Sequence, residues 1–388
     1  MTESAIVYTD ASDSAEAGEQ LCAKVSAAFA GEPPDAVIVF SSPRYDSNEV
    51  LTKLMTTLRP GVLVGASSAG EFAGQEHGDG ACVMALRSKN IKFAAGIGRG
   101  LSIDRGNAAR SVAASFKGLS SDGEYPYRAA LVMTDALAGH ADDLVDELTL
   151  ATGGNYQFFG GGAGDNAQFR RTPVFCGTEV LTDAVVALEI MSKKPVGIGV
   201  AHGWEPATPP MRVTEAAGSR LVSLNGKSAA QAFQAHATAT NQVLDMASPI
   251  PFFLHNIIGI ETGGGYRLRV PLGINADGSV ECAADIPTGA LVHIMGSTTK
   301  SAIDAAAQAT SNAVRGLNGN KPKVALFFDC VATRLRLGEA FGLELQSLVD
   351  AFGDTGFMGC NTHGQLARAA GQFGGFHNCT AVVCALPD

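Results

Sequence analysis

The chain contains three glycine-rich segments, each of which follows one apolar strand and precedes another. They are residues 65–71 (GASSAGE), 160–165 (GGGAGD) and 359–365 (GCNTHGQ), and we call them the first, second and third corners. Glycines beside small or polar residues at a strand end suit tight crossovers, where φ is positive and another group can approach the backbone. Three such corners in one chain indicate that it is built from repeated units.

The same order of predicted elements surrounds each corner: helix, strand, helix, strand, corner, strand. In the first unit, helices at about 14–30 and 47–58 flank a wholly apolar strand. Strands that alternate with helices predict an α/β fold, with mostly parallel sheets covered by helices. We expect segments 36–86, 129–188 and 324–386 to superpose, with the corners in equivalent places.

The region between the second and third units has a different pattern. Residues 266–270 (YRLRV) alternate with period two, and segments 279–283 and 290–294 resemble antiparallel strands. The second half of the chain is therefore expected to be mixed α+β. No low-complexity linker precedes it, so we predict two tightly packed domains, 1–195 and 196–388, which agrees with roughly 150 residues per domain.

Composition excludes several classes of protein. The chain has a formal net charge of −10 with no basic patch, which argues against nucleic-acid binding. No apolar run approaches the ~18 residues of a membrane span, and the N-terminus lacks the basic region of a signal peptide. The eight cysteines include no C-x-x-C pair, and several lie in apolar strands. These features predict a reduced, cytoplasmic protein that does not insert into membranes.

Catalytic motifs are weak. The first corner resembles a G-x-S-x-G nucleophile elbow around Ser67, but Ala69 replaces the second glycine and no helix is predicted to follow. The chain has no P-loop and no H-E-x-x-H motif, and its glycine pairs do not open helices as a dinucleotide site requires. We therefore predict that the chain is not an enzyme, with a hydrolase that uses Ser67 or Cys360 as the alternative.

Most of the candidate ligands for a metal ion or haem lie at the third corner. Cys360 and His363 on one side, and His377 and Cys379 on the other, have spacings that could hold zinc, although structural cysteines are the stronger interpretation. Histidines in apolar or glycine-rich surroundings can also serve as axial ligands of haem. The candidates here are His377, which we favour slightly, His363 and His255.

Several short motifs are distributed along the chain: V-G-x-S-x-x-G-E at 64–71, Y-x-L-R-x-P-L-G at 266–273 followed by D-G-S at 277–279, G-x-x-T-x-G at 359–364, and H-N-x-T at 377–380. Together they resemble the motifs of the FIST family, in which a FIST N domain precedes a FIST C domain. Gln365 stands where the family usually has Glu.

The resemblance implies a sensory module of bacterial signal transduction that binds a small ligand. One branch of the family, the NosP proteins, binds haem, senses nitric oxide, and signals to separate histidine kinases or cyclic-di-GMP enzymes. The resemblance to the FIST N and FIST C domains covers nearly all of this chain. We therefore expect the protein to act in trans, on a separate histidine kinase or cyclic-di-GMP enzyme. Haem is the leading expected cofactor, and a small polar metabolite such as an amino acid is the alternative ligand.

We expect the ligand to lie where the three corners converge. Arg269 matches the signature arginine of the family, and we expect it to contribute to ligand capture more than to folding, although a structural ion pair is an alternative. For haem, we expect Phe357, Phe373 and Phe376 to line an apolar cleft. The predicted ligand-binding residues are Arg269, His363, His377, Asn378, Gly359, Gly364 and Glu71.

Overall fold

The computed structural model describes residues 2–120, 123–139, 141–369 and 374–388. The described chain forms three similar units of strands and helices, and a fourth sheet is inserted into the third unit. The first unit comprises β1 (Thr2–Thr9), α1 (Ser14–Ala28), β2 (Ala36–Ser41), α2 (Ser47–Leu58), β3 (Val62–Ser67), β4 (Glu71–Ala73), β5 (Glu76–Gly78) and β6 (Ala81–Ser88). The second comprises β7 (Ile91–Arg99), α3 (Arg105–Ala114), β8 (Tyr127–Thr134), α4 (Ala141–Ala151), β9 (Gln157–Gly162), β10 (Val174–Cys176), β11 (Glu179–Leu181) and β12 (Ala184–Ser192).

The third unit begins with one strand and resumes after the insertion. Its opening strand is β13 (Gly197–Ala201). The insertion comprises β14 (Glu205–Pro206), β15 (Met211–Ala217), β16 (Arg220–Leu224), β17 (Lys227–Ser228), α5 (Ala229–Ala239), α6 (Ile250–Phe253), β18 (Ile257–Thr262), β19 (Gly265–Arg269), β20 (Pro271–Ile274), β21 (Val280–Cys282) and β22 (Leu291–Gly296). The unit then continues with α7 (Thr299–Gly316), β23 (Pro322–Cys330), α8 (Val331–Leu337), α9 (Phe341–Phe352), β24 (Gly356–Thr362), β25 (Gln365–Arg368), β26 (Gly375–His377) and β27 (Ala381–Pro387).

The three units exchange hairpins in a cycle. The strand orders are β1-β6-β2-β3-β10-β11, β7-β12-β8-β9-β25-β26 and β13-β27-β23-β24-β4-β5. Each sheet thus holds four strands of its own unit and the two-stranded hairpin that follows the corner of another unit. The three orders correspond strand by strand, which confirms the predicted repeat. The exchange itself was not predicted, because it pairs segments that are about a hundred or more residues apart.

The expectation of mostly parallel sheets is wrong. Among the described residues, each of the three repeated sheets contains a single parallel pair, β2 with β3, β8 with β9 and β23 with β24. A helix joins each parallel pair, as a crossover requires. The last strand of each unit instead lies antiparallel beside the middle strand, as β6 does beside β2. The fold is therefore α/β with mixed sheets, and it becomes α+β in the insertion.

One central core joins the inner faces of the three repeated sheets. Phe40 of the first unit meets Phe328 of the third edge to face, with ring centroids 5.5 Å apart, and Phe159 of the second unit lies 6.3 Å from Phe328. The helices cover the outer faces: α1 and α2 over the first sheet, α3 and α4 over the second, α7 and α9 over the third. Strands buried on both faces explain the near-continuous apolar runs in the sequence.

Local signals set several helix ends. The carboxylate of Asp46 accepts hydrogen bonds from the backbone N–H groups of Asn48 and Glu49, so Asp46 caps α2. Helix α7 begins with a capping box between Thr298 and Ser301. No helix among the described residues is long and apolar enough to span a membrane.

The inserted sheet packs on α5 and α6 and forms a core of its own. Its path runs β19-β18-β22-β15-β16-β21-β20, with β14 beside β22 and β17 beside β16. All of the registered pairs in this sheet are antiparallel, as the alternating sequence pattern predicted. The third unit starts at β13, directly after residue 195, and the division into domains 1–195 and 196–388 stays a prediction.

Candidate functional site

The three corners meet at one place and are joined by backbone hydrogen bonds. Each corner contacts the other two, so the loops that follow β3, β9 and β24 form a closed set. The bonds run from Gly164 N to Ser67 O (2.9 Å), from Ala69 N to Asn361 O (2.9 Å), from Asn361 N to Gly70 O (2.8 Å), from His363 N to Gly162 O (3.0 Å) and from Gly162 N to Gly364 O (2.9 Å). The sequence-based expectation that the corners converge is thus met.

The glycine that opens each corner is required by close packing. Gly65, Gly160 and Gly359 pair in register with the middle strand of their own unit. A Cβ atom would lie 1.9, 2.1 and 1.7 Å, respectively, from a carbonyl oxygen of that strand. Positive φ was expected at these glycines, and it is found at Gly160 (135°) but not at Gly65 or Gly359. Steric exclusion by the neighbouring backbone therefore explains all three glycines, and positive φ is a second reason at Gly160.

An apolar cavity of about 350 Å³ opens beside the third corner, between the second unit and the insertion. Its polar side chains among the described residues are His363, Asn378 and two cysteines, Cys282 and Cys330. Gly364 contributes backbone, with φ of 97°. The remaining lining residues are Ala136, Leu137, Ala167, Phe169, Ile250, Phe253, Leu254, Val270, Pro271, Leu272, Ala283, Val331, Ala332 and Leu335. We call this space the interface cavity.

His363 is the polar side chain of this cavity that is best placed to meet a ligand. Its ring stacks on Phe169 with centroids 4.7 Å apart, and its Nε2 lies 3.7 Å from Oδ1 of Asp165. Neither ring nitrogen has a hydrogen-bond partner among the described residues, although the side chain is only 4% exposed. Burial lowers the pKa of His363 to about 4, against the opposing effect of Asp165. The imidazole is therefore neutral at physiological pH and offers one donor and one acceptor.

Two further predicted residues border the same cavity. The side-chain oxygen of Asn378 accepts a hydrogen bond from the backbone N–H of Val270 at 3.3 Å, which ties the third unit to the insertion. At Gly364, a Cβ atom would lie 2.0 Å from the ring of Phe376. Asn378 and Gly364 therefore shape the cavity together with His363.

Arg269 lies outside the cavity lining, in a buried ion pair. Its Nη2 contacts the carboxylate of Asp142. Three further hydrogen bonds run to backbone carbonyl oxygens: Nε to Asp285 at 2.9 Å, and Nη1 to Leu268 at 2.9 Å and to Phe376 at 3.1 Å. The guanidinium joins the insertion to the second and third units. This is the structural ion pair that the sequence left open as the alternative to ligand capture.

Glu71 is buried at the first corner and also does not line the cavity. Its Oε2 accepts a hydrogen bond from Gly80 N at 2.8 Å, and its Oε1 accepts one from the hydroxyl of Ser68. Burial raises the pKa of Glu71 to about 7, so the neutral and charged forms are both populated near neutral pH.

Gln365 occupies the place in the third unit that Glu71 occupies in the first. Each pairs with the residue that follows the opening glycine of a corner: Glu71 with Cys360, and Gln365 with Gly161. The amide of Gln365 donates to Thr362 Oγ1 at 2.8 Å and accepts from Thr380 N at 3.3 Å. Both side chains thus form a hydrogen bond with a hydroxyl group three residues earlier in the chain. Each also accepts a hydrogen bond from the backbone N–H of a residue that follows its hairpin. A neutral amide serves this structural role as well as a carboxyl group.

The other candidate haem residues are elsewhere. His377 is buried on β26, in register with Gln365, and is not part of the described cavity lining. His255 is exposed in the loop after α6. Phe357 and Phe376 pack in the cores beneath the outer helices, whereas Phe373 lies outside the described residues.

The candidate nucleophiles have unfavourable surroundings. Ser67 is followed by the short strand β4 and not by a helix, and its hydroxyl donates to Pro173 O at 3.3 Å. Cys360 lies in the central core, and burial raises its pKa well above the ordinary value. Within the described ranges, no cluster of three or more His, Cys, Asp or Glu residues is arranged to hold a metal ion.

Sequence reasoning missed Asp165, Phe169 and a buried carboxyl pair, Asp329 with Glu344. Asp165 ends the second corner, and its charged side chain beside five small residues could have marked it. Phe169 carries no comparable signal, because its contact with His363 joins residues that are far apart in the chain. Burial and the neighbouring carboxyl group raise the pKa of Glu344 well above the ordinary value, and burial raises that of Asp329 to about 6.

Comparison with known families adds the decisive observation. The FIST N domain matches residues 35–227, and the FIST C domain matches residues 229–368. The chain belongs to the FIST family. A FIST protein is a signal-transduction sensor that binds a small ligand, and the resemblance inferred from the sequence motifs is confirmed.

Solved structures similar to this FIST protein are distant from it. One is a cyanuric acid hydrolase from A. caulinodans, with 10% sequence identity and a TM-score of 0.38 over 100% of both chains. Another is a chorismatase, with 9% identity and a TM-score of 0.36 over 100% of this chain and 98% of the other. No curated protein matches the chain. Similarity this low carries no argument about function.

Proposed function

We propose that this FIST protein senses a small ligand that binds in the interface cavity and contacts His363. The proposal is carried by one observation: a buried, neutral imidazole with no hydrogen-bond partner among the described residues faces an apolar cavity. Buried polar groups are normally paired, and an unpaired one costs about 1–3 kcal/mol. A ligand that hydrogen-bonds to His363 or coordinates through it would recover that cost.

The lining of the cavity limits the chemistry of the ligand. The described lining residues include no Asp, Glu, Lys or Arg, and most are aliphatic. A zwitterionic amino acid would bring two charges into this space without a charged partner for either, which is unfavourable. The lining thus supports a mainly apolar ligand with a group that interacts with imidazole, and it gives less support to the amino-acid alternative.

Haem is the first ligand to test, with nitric oxide as the signal. Ligation of haem iron would require a neutral imidazole beside an apolar cavity, and His363 is the residue that would supply it. The lining offers no cation to the propionates, which would therefore stay solvated. When bound, haem iron supplies the site at which nitric oxide coordinates.

Reconstitution with haem tests this ligand. The parent protein should take up one haem per chain and show a Soret band, and His363→Ala should lose or strongly shift that band. His255→Ala, which removes an exposed imidazole outside the cavity, is the matched control and should resemble the parent. His377→Ala tests the residue that the sequence favoured slightly. A lost or shifted Soret band in His377→Ala alone would instead identify His377, on β26, as the axial ligand.

A broader experiment separates the cavity from the choice of haem. If the parent takes up no haem, apolar probes such as indole can be screened by thermal shift with the parent and with Leu335→Arg, which places a charge at the lining. Ligands that stabilise the parent but not the variant support the interface cavity as the sensor site. Equal stabilisation of both proteins by every ligand found would refute it.

We propose that the sensor acts in trans on a histidine kinase or a cyclic-di-GMP enzyme. Membership of the FIST family supports a signalling output, and the choice between these partners is a prediction from the NosP resemblance. The test is the activity of a purified partner with the ligand-loaded and the ligand-free chain. Partner activity that is identical in both states would contradict the proposal. No observation favours a hydrolase that uses Ser67 or Cys360, and the absence of enzymatic activity stays a prediction.

A further inference from the structure

The loop from residue 165 to residue 171 separates the interface cavity from a second pocket. The carboxylate of Asp165 organises this loop. Its Oδ1 accepts a hydrogen bond from Phe169 N at 2.9 Å, and its Oδ2 accepts from Arg170 N at 2.6 Å and from Arg171 N at 3.0 Å. Phe169 packs on His363 on one side of the loop, while Arg170 and Arg171 line the pocket on the other side.

The second pocket has a volume of about 480 Å³ and a different chemical character. Three arginines line it: Arg44, Arg170 and Arg171. Arg44 is held in place by the backbone carbonyl oxygens of Asp10 and Ala11, both 2.9 Å from its Nη2. Within the described ranges, the guanidinium groups of Arg170 and Arg171 have neither an ion-pair partner nor a hydrogen-bond partner.

The two carboxylates in the lining do not neutralise these arginines through direct contact. Asp46 uses its oxygen to cap α2, accepting from Asn48 N at 2.9 Å and from Glu49 N at 3.4 Å. Asp165 uses both oxygens on its own loop. Three arginines, all of them solvent-exposed, therefore line one pocket in a chain whose net charge is −10. A surface pocket lined by several arginines has a locally positive potential, which favours the binding of an anion.

We propose that this pocket binds a small molecule through a phosphate group. Guanidinium groups bind phosphate oxygens through paired, charge-assisted hydrogen bonds, and three of them can surround one tetrahedral anion. The fixed position of Arg44 provides one wall, and the loop organised by Asp165 provides the other. The pocket lies outside the interface cavity, so its test is independent of the proposed sensor function.

Calorimetric titration with pyrophosphate at low ionic strength tests the site. The parent should bind pyrophosphate, and Arg170→Gln/Arg171→Gln should bind it at least tenfold more weakly. Arg110→Gln, which removes an exposed arginine of α3 outside the pocket, is the matched control and should bind like the parent. Equal affinity in the parent and the double variant, or no binding by the parent, would overturn the proposal. Tighter binding of citrate than of pyrophosphate would also overturn the assignment to phosphate.

A second measurement uses the parent protein alone and does not depend on the folding of a variant. Asp165 lines the pocket and lies 3.7 Å from the imidazole of His363. An anion bound to Arg170 and Arg171 should therefore change the ring ¹⁵N chemical shifts of His363, with saturation at the stoichiometry seen by calorimetry. Ring shifts that follow only the ionic strength, as in a matched KCl titration, would contradict a site at this loop.

Discussion

Nε2 of His363 lies 3.7 Å from Oδ1 of Asp165, beyond hydrogen-bonding distance. The carboxylate instead binds three consecutive backbone N–H groups, those of residues 169 to 171. The imidazole is left neutral against Phe169 at the edge of an apolar cavity. This arrangement keeps a polar group available beside an apolar cavity, as the proposed binding of a small ligand requires.

The pKa of His363 predicts that it destabilises the protein at acid pH. Its folded-state pKa is about 4 and its ordinary value is 6.5, so the unfolded chain binds more protons between these values. Stability that is present above pH 6.5 should be lost as the pH falls towards 4, by up to about 3 kcal/mol. Urea unfolding of the parent and of His363→Gln at pH 7 and pH 5 measures this loss.

The stability difference between the parent and His363→Gln isolates this contribution from other titrating groups. Relative to His363→Gln, the parent should be less stable at pH 5 than it is at pH 7. His77→Gln, which removes an exposed imidazole, serves as the control for replacing a histidine by glutamine. A difference between the parent and His363→Gln that is constant with pH would show that His363 is protonated equally in the folded and unfolded states.

Glu71 should have the opposite pH dependence. Its folded-state pKa is raised to about 7 from 4.5, so its contribution to stability is present below pH 4.5 and is lost as the pH rises through 7. Glu71→Gln should therefore gain up to about 3 kcal/mol relative to the parent between pH 4.5 and pH 8. Gln365, in the equivalent place of the third unit, indicates that an amide fits these partners.

Unfolding by urea at the two pH values measures the effect at Glu71. Glu76→Gln, on the exposed strand of the same hairpin, is the matched control and should behave like the parent. A loss of stability in Glu71→Gln at pH 8 would indicate that the carboxylate is ionised and stabilising in the folded protein.

The corner glycines should not tolerate side chains. Gly65→Val and Gly359→Val place Cβ within 2 Å of a carbonyl oxygen, so the neighbouring strand must move. We expect a loss of about 3 kcal/mol or more in each variant, measured by thermal unfolding. Gly273→Val is the control, since no atom lies within 4 Å of its Cβ position. Melting curves of the corner variants that match the parent would show that the strands can separate at little cost.

Removing the charge of Arg269 should destabilise the ligand-free protein. Arg269→Gln leaves Asp142 without its buried partner, and such losses typically cost about 3–5 kcal/mol. Arg267→Gln is the matched control, because Arg267 is partly exposed and lies 3.4 Å from the same carboxylate; its effect should be below about 1 kcal/mol. Unchanged melting of Arg269→Gln, together with weaker ligand binding, would restore the ligand-capture role that the sequence suggested.

Local sequence patterns predicted the order of most elements in the repeated part of the fold. Apolar runs, glycine corners and helix periodicity depend on residues close together in the chain, so they predicted the three units, the α+β insertion and the equivalence of the corners. The sequence also placed His363, Asn378 and Gly364 in the predicted binding region, and these three residues do border one cavity. The number of parallel pairs and the first strand, β1, were not predicted.

The sequence by itself determined the repeat, its helices and strands, and the family motifs, because each is encoded over short stretches. Only the tertiary structure decided which hairpin completes which sheet, because β10 pairs with β3, and β25 with β9, across long separations. Tertiary packing likewise placed Arg269 against Asp142 and Phe169 against His363. A side chain's role depends on the neighbours that folding brings to it, and those neighbours lie in other units of the chain.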